Sequence, residues 1–204
     1  MHETIGQKVP AMSEIDIEAK ANRFRDVIGW LGPIRSVIII ERILPRILDE
    51  FHWEVIEDHQ LENDLARTWP DQMLVHISDS VYDGACMGDA TCNHILAHEL
   101  GHLVLHRNID PSFALAKTTP KYDCIFNSEW QADTFADYLL MPIDDVRATC
   151  VSIEEIQKRY LVSATAAERQ YQRAFGGERL ADEEKKRFKG KGQGQLAFDF
   201  QPKG

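Results

Sequence analysis

The sequence predicts an α+β fold in which many helices accompany a small sheet, and three observations support this prediction. Apolar residues recur at helical spacing in the N-terminal region, for example between Glu14 and Leu31. Two short segments, Trp53 to Glu57 and Met73 to Val81, have the composition of strands. A strongly apolar helix is predicted around His94 to His106, and a second one begins near Glu129.

The composition is that of an ordinary globular chain. Its 204 residues are 44% hydrophobic and 27% charged, enough for one domain with a core and a small appendage. The net charge of -10 argues against non-specific binding to nucleic acid or to an anionic membrane. The N-terminal residues lack the apolar run of a signal peptide, so we expect a cytoplasmic protein with free cysteine thiols.

The N-terminal region predicts two helical segments. Ser13 can cap a helix that runs from Glu14 to Leu31, and Gly32 with Pro33 would end it. The segment from Ile34 to Phe51 is ambiguous, because its isoleucines favour a strand while its charged residues recur at helical spacing. We favour a helix there.

The two predicted strands flank a polar stretch from Gln60 to Asp71, in which Pro70 is a breaker of regular structure. The second strand, Met73 to Val81, would end at the turn signal Asp83-Gly84. Two interpretations of this strand remain open. It can be an edge strand whose free backbone groups pair with an extended peptide, or a plain core strand.

The segment His98-Glu99-Leu100-Gly101-His102 is the strongest indication of chemistry. Residues four apart on a helix lie on one face, about 6 Å apart, so His98 and His102 can bind one ion. Glu99 is turned about 100° from His98 and can flank the ion as a base for metal-bound water. Zn²⁺ is the metal that this HExxH pattern favours.

Neighbouring histidines and cysteines offer alternatives. His94 and His106 continue the four-residue spacing, but the pairs that they form lack a glutamate after the first histidine. We therefore expect them to pack or to support a ligand. Cys86 and Cys92 could supply a thiolate, although a spacing of six is not usual for a zinc pair. Gly101 predicts the close approach of another helix, because glycine disfavours a helix interior.

The second helix supplies a third ligand. Ser128 and Gln131 form a capping-box pattern, which predicts a helix start near Glu129. Glu129 can complete a two-histidine site, and Asp133, on the same face, can accept a hydrogen bond from the remote nitrogen of a zinc histidine. The alternative is that these acidic residues have no metal role and occur here only because the helix dipole stabilises negative charge near the N-terminus of a helix.

These motifs together resemble the ImmA/IrrE family of metallo-endopeptidases. His98-Glu-Leu-Gly-His102 with Leu103-Val-Leu-His106 is similar to the family signature HELGHxxLH. Glu129-Trp-Gln-Ala-Asp-Thr-Phe-Ala-Asp-Tyr-Leu-Leu-Met-Pro142 is similar to its signature ExxA[ND]xFAxxLLMP. The sequence departs from the usual pattern at three positions, which are His94, Gln131 and Asp133.

The resemblance implies a zincin-like core in which a small twisted sheet accompanies the HExxH helix and the glutamate-ligand helix. It implies that His98, His102 and Glu129 hold one Zn²⁺ and that Glu99 is the catalytic base. It also implies a protein substrate, with a helix-turn-helix repressor as the leading expectation. The acidic net charge, rather than the resemblance, argues against a nucleic acid or a membrane as direct ligand. For the oxyanion donor, Tyr82, Tyr122 and His106 remain open.

Two alternatives to a dedicated anti-repressor remain. The chain can be a non-catalytic regulator that uses a metal-stabilised scaffold to bind a repressor or DNA. It can also be a toxin-like protease with broad targets. The intact Glu99 argues against the scaffold, because a scaffold needs no base.

The C-terminal region predicts a helix-turn-helix from Val151 to Phe175 that ends at Gly176-Gly177, similar to the tail of the same family. Arg169 and Arg173 can contact phosphate, although we expect this unit to pack on the core. A disordered linker from Asp182 to Gly194 and the apolar hexapeptide Gln195 to Phe200 follow. We expect four units, namely a flexible N-terminus over 1–12, the metallopeptidase domain over 13–145, a helical subdomain over 146–180 and a flexible tail over 181–204.

Overall fold

The computed structural model describes residues 6–30, 32–61, 64–109 and 124–189, which form the predicted α+β fold. The helices are α1 Glu14–Ile28, α2 Ser36–Ile38, α3 Leu44–Ile47, α4 Asp79–Met87, α5 Ala90–Leu105, α6 Ser128–Leu140, α7 Ile143–Thr149, α8 Ile153–Tyr160 and α9 Ala164–Lys189. The strands are β1 His52–Ile56, β2 Ala66–Trp69 and β3 Leu74–Ser78. Within these ranges, no helix has both the length and the apolar character needed to cross a membrane.

The N-terminal helices largely follow the prediction. The Ser13 hydroxyl accepts a hydrogen bond from the Asp16 backbone N–H and so caps α1 as expected. The helix ends at Ile28, three residues before the predicted end, and its C-cap is Gly29, which has φ 64°. The ambiguous segment after it is helical, because α2 continues through the π-helical turn Ile39–Ile43 into α3.

The three strands form one sheet in the order β1-β3-β2. β1 pairs parallel with β3, and β2 pairs antiparallel with it. β3 is therefore central, and its Val75 and Ile77 are fully buried, so the core-strand interpretation is confirmed. β2 lies at an edge of this sheet, within the polar stretch from Gln60 to Asp71, where the sequence analysis had identified no strand.

The predicted second strand is too long, because β3 ends at Ser78. The Ser78 hydroxyl accepts a hydrogen bond from the Val81 N–H and starts α4 instead. Gly84 lies inside α4 and not in a turn. A Cβ at this position would lie 2.5 Å from Sγ of Cys92, so glycine serves the close packing of α4 against α5.

Helices α5 and α6 pack together at the centre of the core, and Gly101 sets their distance. A Cβ on Gly101 would lie 2.9 Å from both Cα and the carbonyl oxygen of Ala132, closer than real Cβ contacts. Because the obstructing atoms are backbone, no side-chain movement could relieve the contact. The close helix approach predicted from Gly101 is confirmed.

The segment before α1 lies along the start of α6. The Gln7 N–H donates to the Ser128 hydroxyl at 3.0 Å, and the Val9 N–H donates to the Phe126 carbonyl at 2.9 Å. Val9 is buried. Part of the N-terminus that we expected to be flexible is therefore hydrogen-bonded to the core.

The C-terminal helices are capped as predicted, by Ser152 before α8 and by Ser163 before α9. However, α9 continues through Gly176 and Gly177 to Lys189, so the predicted helix end was wrong. The first half of the predicted linker is thus helical backbone. The hexapeptide Gln195 to Phe200 lies outside the described residues, and the four predicted unit boundaries stay predictions.

Arginines of α9 bind the core rather than pointing into solvent. Arg169 and Arg173 both donate hydrogen bonds to the carboxylate of Asp137 on α6, which is fully buried. Arg173 also donates to the Glu14 carboxylate on α1 at 2.6 Å. These contacts attach α9 to two other helices through charged groups.

Candidate metal centre

The N-terminal caps of α5 and α6 determine where the site residues lie on these two helices. Asp89 caps α5 by accepting a hydrogen bond from the Cys92 N–H at 2.8 Å. The cap of α6 is Asn127, whose side-chain oxygen accepts from the N–H groups of Glu129 and Trp130. The predicted capping box at Ser128 was therefore wrong by one residue, because Ser128 is already helical and its hydroxyl binds Gln7. Glu129 lies in the first turn of α6 as expected.

Three side chains converge where α5 meets the first turn of α6. The Nε2 atoms of His98 and His102 lie 2.9 Å apart. The Glu129 carboxylate lies 3.3 Å from Nε2 of His98 and 3.5 Å from Nε2 of His102. Among the described residues, these three are the group of His, Cys, Asp or Glu side chains close enough to hold one ion. Cys86 and Cys92 are not part of it.

The donor set fits a zinc ion. Two imidazole nitrogens and one carboxylate oxygen are a common ligand set of catalytic zinc sites, which leave a fourth position open. Ligand atoms about 2.0–2.2 Å from one tetrahedral ion are about 3.3–3.6 Å from each other. The separations of the three donor atoms, 2.9 to 3.5 Å, are close to that range.

Asp133 lies beside His98 as predicted, since its Oδ1 is 2.7 Å from Nδ1 of the imidazole. Burial acts to lower the pKa of His98, but the hydrogen bonds with Asp133 and Glu129 outweigh it and raise the pKa to about 10. Burial acts in the opposite direction on Glu129, whose pKa is nevertheless held well below its ordinary value by His102 and His98. Because only a neutral imidazole binds a metal, a cation would displace the proton of His98.

His106 belongs to this site, whereas His94 lies elsewhere. Nδ1 of His106 is 2.9 Å from Nδ1 of His102, and its Nε2 is 3.0 Å from Oε1 of Gln131. Burial lowers the pKa of His106 to about 4, so the ring is neutral at pH 7. His94 is 3.3 Å from the Asp137 carboxylate.

Glu99 is buried beside the histidines, with 7% of its surface exposed. The Thr68 hydroxyl on β2 donates a hydrogen bond to Oε2 of Glu99 at 2.6 Å. The edge strand thus holds one carboxylate oxygen of the predicted base. Sequence reasoning did not anticipate Thr68, because the polar stretch around it shows no strand pattern.

The structure supports none of the three candidates for the oxyanion donor. Both ring nitrogens of His106 are hydrogen-bonded within the protein, which leaves it no N–H for a substrate. The Tyr82 ring stacks on Trp53 of β1, at the opposite edge of the sheet from β2. Tyr122 lies outside the described residues. The oxyanion donor therefore stays unassigned.

Gln131 is the second residue whose role sequence reasoning missed. It is fully buried, and its amide bonds His106 and two backbone carbonyls. A long polar side chain among the apolar residues of α6 was the available signal, since buried polar groups need partners. Its partners could not be identified from spacing, because they come from distant segments.

In a comparison with known proteins, residues 87–171 match the model of a peptidase family. The matching family model is Peptidase_M78, described as the IrrE N-terminal-like domain, and it spans α5, α6 and the start of α9. This match agrees with the resemblance of the two motifs to the ImmA/IrrE family. No curated protein matches the chain at a significant level.

A solved structure described as a Mycobacterium tuberculosis transcriptional regulator has a similar fold, with a TM-score of 0.51 and 14% sequence identity. The similarity covers 77% of this chain and 46% of that chain. This chain thus spans less than half of that regulator. At this identity the likeness concerns the fold alone.

Proposed function

We propose that the chain is a zinc-dependent endopeptidase with a zincin-like core. The observation that carries this proposal is the convergence of His98, His102 and Glu129 with a buried carboxylate, Glu99, beside them. These three residues would hold the ion. Zinc bound there would act as a Lewis acid toward the scissile carbonyl and the attacking water.

Glu99 is the general base in this proposal. Thr68 bonds its Oε2, and we assign the other oxygen, Oε1, to the water molecule that attacks the peptide. Glu99 takes the proton of this water as the C–O bond forms, and passes it to the amine nitrogen as the C–N bond breaks. Thr68 keeps the carboxylate in one orientation during both transfers.

The edge strand β2 offers a place for the substrate backbone. One side of β2 pairs with β3, and its Thr68 contacts Glu99. An extended peptide that pairs with the other side of β2 would lie about 4.8 Å from this strand, the usual spacing of neighbouring strands. This role, which we considered for β3, belongs to β2 in the proposal.

The proposed substrate is a helix-turn-helix repressor, and the support for it is the family resemblance. A similar fold in a chain described as a transcriptional regulator is compatible with a place in gene regulation. We propose that the α8–α9 unit is the helix-turn-helix-like extension of the family. The cytoplasm is the compartment that such a substrate implies.

Replacing the base tests the proposal against a non-catalytic regulator. We expect Glu99→Gln to bind zinc like the wild type, measured by metal analysis of the purified protein, and to lose cleavage by more than 100-fold. The probe is the helix-turn-helix protein encoded nearest to this chain, with products identified by mass spectrometry. Cleavage by Glu99→Gln at the wild-type rate would contradict the proposed mechanism.

Comparison of the wild type with Glu99→Gln also distinguishes the two alternatives, a non-catalytic regulator and a toxin-like protease. Relief of repression that persists in Glu99→Gln without cleavage would support the regulator. Growth arrest on expression of the wild type alone, absent with Glu99→Gln, would support a toxin-like protease. We expect neither result.

A further inference from the structure

The side-chain amide of Gln131 has one orientation. Its Nε2 donates hydrogen bonds to the carbonyl oxygens of Pro10, at 2.9 Å, and Ile125, at 2.6 Å. A flipped amide would place its oxygen against these two oxygens, and neither partner can donate a proton. Oε1 of Gln131 must therefore face His106 as an acceptor, in a fully buried environment.

This orientation determines which nitrogen of His106 carries the proton. Nε2 of His106 lies 3.0 Å from Oε1 of Gln131, so it must be the N–H donor. A neutral imidazole has one N–H, which leaves a lone pair on Nδ1. That lone pair lies 2.9 Å from Nδ1 of His102, which must then supply the proton between them.

With its proton on Nδ1, His102 presents the lone pair of Nε2 to the three-residue cluster. Nε2 is the atom that lies 2.9 Å from Nε2 of His98 and 3.5 Å from the Glu129 carboxylate. The opposite arrangement, with a proton on Nδ1 of His106, would move the His102 proton to Nε2. That arrangement would block metal binding.

We propose that Gln131 and His106 are positioning residues that keep His102 in the tautomer able to bind a metal. The inference rests on the proposed zinc site and extends it. His98 is oriented by a carboxylate, Asp133, whereas His102 is oriented by a chain of neutral groups that begins at the backbone carbonyls of Pro10 and Ile125. The two ligands are thus supported by different chemistry.

Nitrogen NMR of the histidine rings tests the proton positions directly. In the ¹⁵N-labelled wild type without metal, we expect His106 to carry its proton on Nε2 and His102 on Nδ1. The zinc-loaded protein should keep both assignments. A proton on Nδ1 of His106, or on Nε2 of His102, would overturn the proposal even if no variant folds.

Matched variants test the consequence for the metal. Gln131→Met and His106→Leu remove the acceptors, and we expect zinc to bind about 10- to 100-fold more weakly in competition with a chelator. His106→Asn keeps an acceptor near the position of Nδ1, so it should stay within about threefold of the wild type. Circular dichroism of the metal-free proteins checks that each variant is folded.

The outcomes distinguish this inference from the proposed function. Zinc affinities of folded Gln131→Met and His106→Leu equal to that of the wild type would overturn the positioning role. Equal weakening by His106→Leu and His106→Asn would also overturn it, because loss of packing would then explain the effect. A wild type that binds no zinc would instead refute the proposed function, while the metal-free NMR spectra would still test the tautomers.

Discussion

The carboxylate of Asp137 on α6 accepts hydrogen bonds from Nε and Nη2 of Arg169 on α9, each at 2.8 Å. Arg173 adds a third bond at 2.7 Å. Removing the charge of Asp137 leaves two arginines without their buried partner. We expect Asp137→Asn to lower the free energy of unfolding by about 3 kcal/mol, measured by urea denaturation. A loss below about 1 kcal/mol would mean that the arginines find solvent instead.

The same carboxylate predicts an acid-sensitive stability. Burial acts to raise the pKa of Asp137, but hydrogen bonds with His94 and Arg169 hold it well below its ordinary value. The stabilisation is therefore complete above the unfolded-state pKa, about 3.9, and is lost as the pH falls below it. We expect the stability difference between wild type and Asp137→Asn to be about 1 kcal/mol smaller at pH 3 than at pH 6. An unchanged difference would contradict this linkage.

Sequence reasoning succeeded where the signal is local. His98, Glu99 and His102 lie within one helical turn, so their spacing alone predicts which side chains share a face. Glu129 and Asp133 follow the same rule on α6. The distance between the two helices is not a local property, yet Gly101 indicated it, since a glycine inside a helix usually has a packing reason.

Sequence reasoning failed where distant segments or packing decide the structure. β2 is a four-residue edge strand, and pairing with β3 outweighs its polar composition. Gly84 and Gly176 lie inside helices although glycine is a turn signal, because a single glycine costs a helix only about 1 kcal/mol. The partners of Asp137 and Gln131 come from other parts of the chain.

Thr68 should affect turnover without affecting the metal. Thr68→Val removes the hydroxyl that donates to Glu99 while keeping the size of the side chain. We expect kcat to fall about tenfold, equivalent to the loss of one hydrogen bond of about 1.4 kcal/mol, with unchanged zinc content. Thr68→Ser keeps the hydroxyl and serves as the control. An equal kcat for Thr68→Val and wild type would remove Thr68 from the mechanism.

Gly101 should be intolerant of even one methyl group. Gly101→Ala places a Cβ 2.9 Å from backbone atoms of Ala132, so we expect a loss of about 1–3 kcal/mol in unfolding free energy and weaker zinc binding. Gly176→Ala is the matched control, because its Cβ would meet mainly the flexible end of Gln172. This control should gain up to about 1 kcal/mol from helix propensity. The measurement is thermal denaturation of both variants. Similar changes of the melting temperature in Gly101→Ala and Gly176→Ala would contradict the close packing of Gly101 against Ala132.

The N-terminal segment should influence zinc affinity. Deletion of residues 1–10 removes the Pro10 carbonyl that accepts from Gln131, as well as the buried Val9. We expect weaker zinc binding, in the same direction as Gln131→Met, in the chelator competition. Deletion of residues 1–5 keeps both contacts and should bind zinc like the full chain. Equal affinities for the two deletions would contradict the role of Pro10.

The contact of Gly101 with Ala132 has a thermodynamic consequence. The three donor atoms come from two helices that touch through backbone, so their spacing exists only when the core is assembled. Zinc binding and folding are then linked equilibria. A higher concentration of free zinc raises the melting temperature, and a higher concentration of urea favours release of the ion. Calorimetry of this chain would therefore record metal occupancy and core integrity as a single cooperative transition.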